Sequence, residues 1–510
     1  MSKMAFVGTF LKNTTRVGYN YGARRKANNP EQSKILKELL NRAKKTKIGK
    51  NYDFSGILQE QNICDAYRKN IPIFTYETFY DPYLKPQLEG LKNVAWPNKI
   101  NYFALSSGTT TDASKRIPVS DQMIRQFQKT TLEQLLQLHE LKLSSSFYQS
   151  TVLTIGGSTK LKEINSYFEG DLSGILQKNK LFLYRLFSKP GNKIAQLNDW
   201  NTKLEEIVKN AKKWDIGVVA GAPSWVLILF ERIIKTYKIK SVHEIWPNFR
   251  IFLHGGVFLD TYQEKIEALC TEDVFFKNTY LASEGYFAYQ KKPEDKGMSL
   301  LTNHGVYYEF IEEKYFELIN SGGDISQVPT RLLSEVKDGE SYGLVISTSS
   351  GLWRYFLGDV VRFSNIENLE LEIVGRVRHT LSLVGEHLCL ENMNRAVQKT
   401  NKRFGISAEE YCVLSAKNRD RHHWYIGSNS MVDPQKYSVY LNQALEEVND
   451  DYKCVRKYLL KAPRVKILPI QKFYEFMEKK GKLGAQHKFP RVLNKTQASE
   501  WESFLSSFDW

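Results

Sequence analysis

Apolar positions change their spacing along the chain, and the change separates helices from strands. In residues 32–45, Ile35, Leu36, Leu39, Leu40 and Ala43 fall on one side of a helical wheel, which predicts an amphipathic helix. From about residue 100 to 363, short apolar runs at 102–105, 151–155, 216–220, 251–254 and 342–347 alternate with longer helical stretches such as 121–143. That alternation predicts an α/β body with a largely parallel sheet. Beyond about Arg378 the units shorten. A helix near 391–403, strands near 411–416 and 422–427, a helix at about 434–456, a strand at 464–470 and a last helix near 473–480 follow. They predict a small α+β module of roughly 130 residues. The expected division is therefore a large N-terminal domain, residues 1–382, and a small C-terminal domain, residues 383–510. No repeat of fixed period and no low-complexity tract interrupts this pattern.

Composition narrows the picture. With 42% apolar and 13% aromatic residues in 510, the chain buries enough surface to offset chain entropy, which excludes a wholly disordered protein. No window approaches the roughly 18 unbroken apolar residues of a membrane span. The short apolar stretch at 5–11 runs into Lys12, Asn13 and Arg16 without a cleavage-site pattern, so the expectation is a cytoplasmic protein without membrane insertion. The five cysteines (Cys64, Cys270, Cys389, Cys412, Cys454) form no CxxC pair and read as reduced core thiols. A formal net charge of +16 suits nucleic acid, anionic lipid or a polyanionic small molecule equally. The basic residues, however, fall in scattered pairs such as Arg24-Arg25 and Lys212-Lys213, without nucleic-acid-binding signatures. A solvated basic surface is expected, with no nucleic-acid partner.

Three segments carry candidate chemistry. The run from Ser106 to Lys115 contains Ser106, Ser107, Gly108, Thr109, Thr110 and, behind them, Lys115. Hydroxyls around one glycine, with a lysine, suit the oxygens of a polyphosphate, although an ordinary polar turn between strand and helix has the same composition. It is neither a Walker A loop nor a dinucleotide fingerprint. In Ser283-Glu284-Gly285 a lone carboxylate stands between small residues after an apolar run; it reads as a metal ligand at a sheet edge or as a solvated loop glutamate. In residues 351–361 Asp359 follows Gly358 among apolar neighbours, as a ribose-hydroxyl acceptor or a turn aspartate would. His254, His422 and His423 lack metal-ligand spacing and no G-x-S-x-G elbow is present. Tyr286, Phe287, Tyr289 and Trp225 suit an acyl pocket and core packing alike.

Taken together and in order, these segments resemble the adenylate-forming superfamily, and within it the auxin-responsive Gretchen Hagen acyl-acid amido synthetases. The family's phosphate loop is similar to Ser106–Lys115, and its adenine-side segment to Trp246-Pro247-Asn248 with His254-Gly255-Gly256-Val257. Its Ser-Glu motif corresponds to Ser283-Glu284-Gly285, its Arg-Tyr-x-x-Gly-Asp-Val motif to residues 354–360 and its hinge arginine to Arg376. Ala222-Pro223-Ser224-Trp225, Asn449-Asp450-Asp451-Tyr452 and Gln486-His487-Lys488-Phe489-Pro490-Arg491 extend the resemblance from about residue 30 to 495. Two departures stand out: Thr111-Asp112 replaces a second loop glycine, and His387 stands where plant members carry a lysine.

The resemblance implies residues 1–382 as an adenylation domain and 383–510 as a mobile lid on a hinge near 377–382. It implies ATP and Mg²⁺ as cofactors, a small-molecule carboxylic acid activated as its acyl-adenylate with loss of pyrophosphate, and an amino acid as acyl acceptor. Ser106, Ser107, Gly108, Thr109, Thr110 and Lys115 would hold phosphate oxygens. Glu284, following Ser283, would ligate Mg²⁺. Gly255, Gly256 and Val257 would line the adenine slot, Asp359 would hold the ribose, and Arg376 would reach ribose or phosphate. Lys488 would come to the reacting carboxylate as the catalytic residue of the lid. An acyl-CoA ligase of the same superfamily shares the first half-reaction and differs in the acceptor, and a non-catalytic basic binding protein would use only the charge. The nucleotide motifs do not define the acyl acid or the oligomeric state.

Overall fold

Helix α1 (Gln32–Ala43) forms on the face the apolar spacing marks: Ile35, Leu36, Leu39, Leu40 and Ala43 are all buried. Gln32 at its start donates to Thr302 O at 3.0 Å and accepts from Tyr308 N at 2.9 Å, which ties the helix to the strand behind it. The computed structural model describes residues 9, 12–17, 32–106, 115–180, 182–255, 259–320, 323–377, 388, 390–406, 408, 410–415, 420–449, 452–453, 456, 460–480, 489–493 and 495–506. Contacts divide the chain into two compact units, one taking most of it up to Glu372 and the other running from Ile373 onward together with Gly358–Val361. Among the described residues no helix is long and apolar enough to cross a membrane.

The first unit contains, in order, β1 (Tyr102–Ser106), β2 (Lys115–Val119), α2 (Asp121–Gln137), β3 (Thr151–Thr154), β4 (Lys162–Ile164), β5 (Tyr167–Gly170), β6 (Ser188–Lys189) and α3 (Trp200–Ala211). Then come β7 (Ile216–Ala220), α4 (Pro223–Tyr237), β8 (Ile251–Gly255), β9 (Phe275–Ala282), β10 (Gly285–Tyr289), β11 (Met298–Leu300), β12 (Val306–Glu312), β13 (Ser341–Thr348), β14 (Tyr355–Asn365) and β15 (Glu370–Arg376). A four-stranded sheet has the order β2-β1-β5-β4, and an eleven-stranded sheet β12-β13-β14-β15-β11-β10-β9-β8-β7-β3-β6. The fold is α/β, as the alternation predicts, but the expectation of mostly parallel sheets needs correction. Pairing is parallel from β6 through β3, β7 and β8 to β9. It is antiparallel between β9 and β10, β10 and β11, β11 and β15, and β12 and β13. The reason is the length of the connections. Parallel neighbours need a crossover such as α4, which begins with Pro223 and buries Trp225, Val226, Leu229, Phe230 and Ile233 between β7 and β8. The two residues Ser283-Glu284 between β9 and β10 can only reverse the chain.

The second unit carries α5 (Leu390–Phe404), β16 (Glu410–Ser415), β17 (His422–Gly427), α6 (Pro434–Val448), β18 (Arg464–Leu468), α7 (Gln471–Lys479) and α8 (Lys495–Ser506). Its three strands lie in the order β16-β17-β18, antiparallel then parallel. Period-two alternation splits its core in two. Tyr411, Val413, Trp424 and Ile426 pack with Met393, Val397, Leu441 and Leu445 of α5 and α6. Cys412, Leu414 and Tyr425 pack with Phe473, Phe476, Trp501 and Phe504 of α7 and α8. Helix α8 lies beyond the last helix expected from the sequence. Trp501, Phe504 and Leu505, at helical spacing, are its signal.

Candidate active site

Strands β8 and β9 run parallel in the register Gly255–Thr279, so both end at the same edge of the sheet. Carboxyl ends of parallel strands are where open α/β sheets receive ligands. Gly255 is needed there: a Cβ would lie 2.3 Å from Thr279 O, while Thr279 Oγ1 donates to His254 O at 2.8 Å. Gly255→Ala is expected to lower stability by about 1–3 kcal/mol, read as a lower urea midpoint. An unchanged midpoint would mean that the two strands separate freely at this point. The neighbouring His254 is buried, and desolvation lowers its pKa to about 4, so its imidazole is neutral near pH 7.

Where β9 turns into β10, Glu284 is a buried carboxylate, only 8% exposed. It lines a cavity with Met123, Phe127, Tyr286, His304 and Thr348. The Tyr286 hydroxyl accepts from Gln134 Nε2 at 2.6 Å, and burial raises its pKa, so the phenol keeps its proton. Ser283, half-buried, completes the turn. Tyr286 is the one aromatic of the four named from the sequence that reaches this cavity's lining. Trp225 packs instead on Trp200, with centroids 4.4 Å apart. His304, Thr130 and Gln126 also line the cavity, and nothing in their local sequence marks them. Their only signal is position: Gln126 and Thr130 recur at i, i+4 on α2, beside the apolar Phe127.

The phosphate-loop candidate is bracketed by a β-hairpin, not carried from strand to helix. Ser106 and Lys115 are cross-strand partners at the open end of β1 and β2, and α2 begins only after β2. Ser120 caps α2 by accepting from Met123 N at 3.0 Å, and it also donates to Ser349 O at 2.7 Å. The Lys115 ammonium lies 3.7 Å from Glu77 Oε1 and 5.0 Å from the centroid of Tyr76. Ser107, Gly108, Thr109 and Thr110, with Thr111-Asp112, lie outside the described residues.

Asp359 and Arg376 meet in the second unit. Asp359 on β14 is 5% exposed, and the Arg376 Nε at the end of β15 lies 2.7 Å from its Oδ1. The first residue of their motif has a different task. Arg354, 3% exposed and at φ +36°, lies 2.9 Å from Glu309 Oε1, itself 1% exposed. It also donates to Thr330 Oγ1 at 3.1 Å, Arg68 O at 2.8 Å and Ile71 O at 2.5 Å. The guanidinium fork is thus filled by protein acceptors, and Arg354 is a structural anchor at the start of β14.

Gly256, Val257, His387, Lys488 and the expected domain boundary at 382 lie outside the described residues. The residues just after Lys488 are firmly held. Phe489 packs at 4.8 Å on Phe473 and 5.0 Å on Trp501, and Arg491 NH1 donates to Glu410 Oε2 at 2.6 Å and Tyr411 O at 3.0 Å. Among the described residues no group of three or more His, Cys, Asp or Glu is placed to hold a metal ion. Mg²⁺ held with ATP, however, takes one or two protein carboxylates and completes its shell with phosphate oxygens and water. A single buried carboxylate such as Glu284 fits that mode.

Comparison with known proteins now decides the family. Residues 24–171 match the GH3 family N-terminal domain, 299–376 the GH3 family central domain and 391–497 the GH3 family C-terminal domain. The chain belongs to the GH3 family. Among its relatives, indole-3-acetic acid-amido synthetase GH3.2 of Arabidopsis thaliana is 21% identical over 479 residues, spanning 78% of this chain and 84% of that protein. The 4-substituted benzoates-glutamate ligase GH3.12 of Arabidopsis thaliana is 23% identical over 485 residues, spanning 82% and 79%. The solved structure of GH3.15 acyl acid amido synthetase superposes with a TM-score of 0.77 at 16% identity, covering 92% of each chain. A 2-hydroxyisobutyryl-CoA ligase in the postadenylation state shares the fold more loosely, with a TM-score of 0.60 at 11% identity over 93% of this chain and 91% of the other. This GH3 chain therefore has the fold of adenylate-forming enzymes, and its relatives include acyl-acid amido synthetases.

Proposed function

We propose that this GH3 chain is an ATP- and Mg²⁺-dependent acyl-acid amido synthetase. A carboxylic acid attacks the α-phosphorus of ATP and pyrophosphate leaves; an amino acid amine then takes the acyl group and AMP is released. One observation carries the reading: Glu284, a buried carboxylate just past the end of a parallel strand, lines a cavity together with apolar side chains. Charge that builds on phosphate oxygens needs neutralisation, and the reactants need to be held in line. Mg²⁺ would supply part of that neutralisation, with Glu284 as its protein ligand. The Ser106–Lys115 hairpin is assigned to the phosphates, and Gly255 with Gly256 and Val257 to the adenine. Lys488 is assigned to the reacting carboxylate, a role supported by the anchoring of Phe489 and Arg491 directly behind it.

Asp359 is assigned to the ribose, because a buried carboxylate held by Arg376 Nε is an acceptor of the kind that a pair of ribose hydroxyls calls for. Asp359→Asn is expected to raise KM for ATP about tenfold or more, with a smaller change in kcat, since a charged hydrogen-bond acceptor is lost from binding. An unchanged KM for ATP would remove Asp359 from the nucleotide site. The whole reading is tested by incubating the protein with MgATP, a panel of aromatic and aliphatic acids and pooled amino acids, with mass detection of products. N-acyl amino acid with equal AMP and pyrophosphate is the expected result. A CoA thioester formed in preference when CoA is added would move the assignment to an acyl-CoA ligase, and no acid-dependent pyrophosphate at all would overturn it.

A further inference from the structure

Strands β6, β3, β7, β8 and β9 are parallel neighbours, so the amino ends of β6, β3 and β7 share one edge of the sheet, opposite to the carboxyl edge that carries Gly255 and the Glu284 turn. The segment that enters β6 is apolar and yet turned to water: Leu186 and Phe187, adjacent in sequence, are exposed at 62% and 40%. Phe187 O accepts from Val152 N at 2.8 Å, so the sheet itself fixes this segment at its edge. The charge around it is one-sided. From residue 172 to 198 there are five lysines and arginines (Lys178, Lys180, Arg185, Lys189, Lys193) and no aspartate or glutamate. Burial first, and then the like charge of Arg185, lower the Lys180 pKa to about 8. Lys189 Nζ lies 5.9 Å from the centroid of the half-buried Trp214, which adds the exposed Lys212 and Lys213 just before that ring. Asp215 does put a carboxylate at this edge, and Asn248 Nδ2 donates to it at 3.0 and 3.2 Å.

Exposed apolar side chains rimmed by polar ones mark interaction sites. The rim here is cationic, so the partner it fits is anionic, and the apolar centre calls for a partner that offers hydrocarbon as well. We propose that this edge is a peripheral docking surface for an anionic lipid bilayer, with Leu186 and Phe187 entering the headgroup region and Arg185, Lys189, Lys212 and Lys213 meeting the lipid anions. The protein lies on the membrane and does not cross it: among the described residues no helix is long and apolar enough to do so. Apolar and aromatic side chains among lysines and arginines are what interfacial binding needs, since its strength is the sum of apolar burial and attraction to anionic lipid. A nucleic acid would meet the same cations, but an exposed leucine beside them gains nothing from phosphate oxygens. Docking through the amino ends of the strands leaves their carboxyl ends turned away from the membrane and open to solvent. The inference stands independently of the amido synthetase reading.

The test is co-sedimentation of the full-length protein, at low salt, with vesicles of phosphatidylcholine alone and of phosphatidylcholine containing about one-third phosphatidylserine. Binding is expected with the anionic vesicles only, and it falls as salt is added. Lys212→Gln with Lys213→Gln is expected to lower the partition coefficient about tenfold or more, at roughly fivefold for each charge held near the surface. Leu186→Ser with Phe187→Ser is expected to lower it about tenfold as well, while retention on immobilised polyuridylate stays unchanged. Each variant is checked for a native urea midpoint; should Phe187→Ser disturb it, Leu186→Ser alone carries the test, because that side chain is the more exposed. Failure of the wild-type protein to prefer anionic vesicles overturns the inference, as does binding unmoved by the loss of Lys212 and Lys213. Vesicle binding that survives the serine substitutions in full makes the edge a general polyanion site, such as RNA would use, and overturns it too.

Discussion

Replacing Glu284 by alanine is expected to lower acid-dependent pyrophosphate release by about a hundredfold to a thousandfold, the usual cost of removing one preorganised electrostatic contact from a reacting centre. The side chain is a single carboxylate in a two-residue turn, 8% exposed, and no group of three or more potential metal ligands lies among the described residues to replace it. Glu284→Gln keeps the shape and removes the charge. If the carboxylate acts on the Mg²⁺-bound phosphates, Gln is nearly as poor as Ala, and both lose kcat more than affinity for the acid. If Glu284 only shapes the turn, Gln restores activity and Ala lowers the urea midpoint. Steady-state pyrophosphate release from the two variants, beside their urea curves, separates these outcomes.

The largest stability effect is expected at Arg354. Its guanidinium is 2.9 Å from Glu309 and both side chains are almost fully buried, at 4% and 1% exposure. Removing one partner leaves an uncompensated buried charge, so Arg354→Leu is expected to cost about 3–5 kcal/mol, as is Glu309→Leu. Removing both at once, Arg354→Leu with Glu309→Leu, costs less than the sum, because no lone charge remains. Urea denaturation of the two single variants and the double variant checks this. Additive losses would mean that the two charges are solvated independently, contrary to their burial.

Much of the architecture was legible because it rests on periodicities. The α1 face, the strands at 216–220 and 251–254 and the two-sided core of the second unit follow from spacings of 3.6 and 2 that core burial imposes on any sequence. Strand direction was not legible. Whether β9 is followed by a parallel or an antiparallel neighbour depends on a two-residue turn, which composition does not distinguish from a loop leading into a helix. Glu284, Asp359 and Arg376 were singled out as candidates through motif order, and the structure adds what order does not contain: that Asp359 and Arg376 pair, and that Arg354 in the same motif is an anchor. The polar side chains at and beside the Glu284 cavity went unread for a physical reason. Glu133 and His304 are distant in sequence and meet only when α2 lies over the turn before β12, so neither is marked by its neighbours.

The central claim is that an acid's carboxylate oxygen attacks the α-phosphorus of ATP. Its most direct test is a single-turnover reaction with a carboxylic acid carrying ¹⁸O in both carboxylate oxygens, an amino acid acceptor and MgATP, followed by mass analysis of the nucleotide, the phosphates and the amide. Attack at the α-phosphorus followed by aminolysis at the carbonyl carbon leaves one labelled oxygen in AMP and one in the amide, with unlabelled pyrophosphate. Label in inorganic phosphate, or AMP free of label while the amide forms, would place the attack elsewhere and contradict the account.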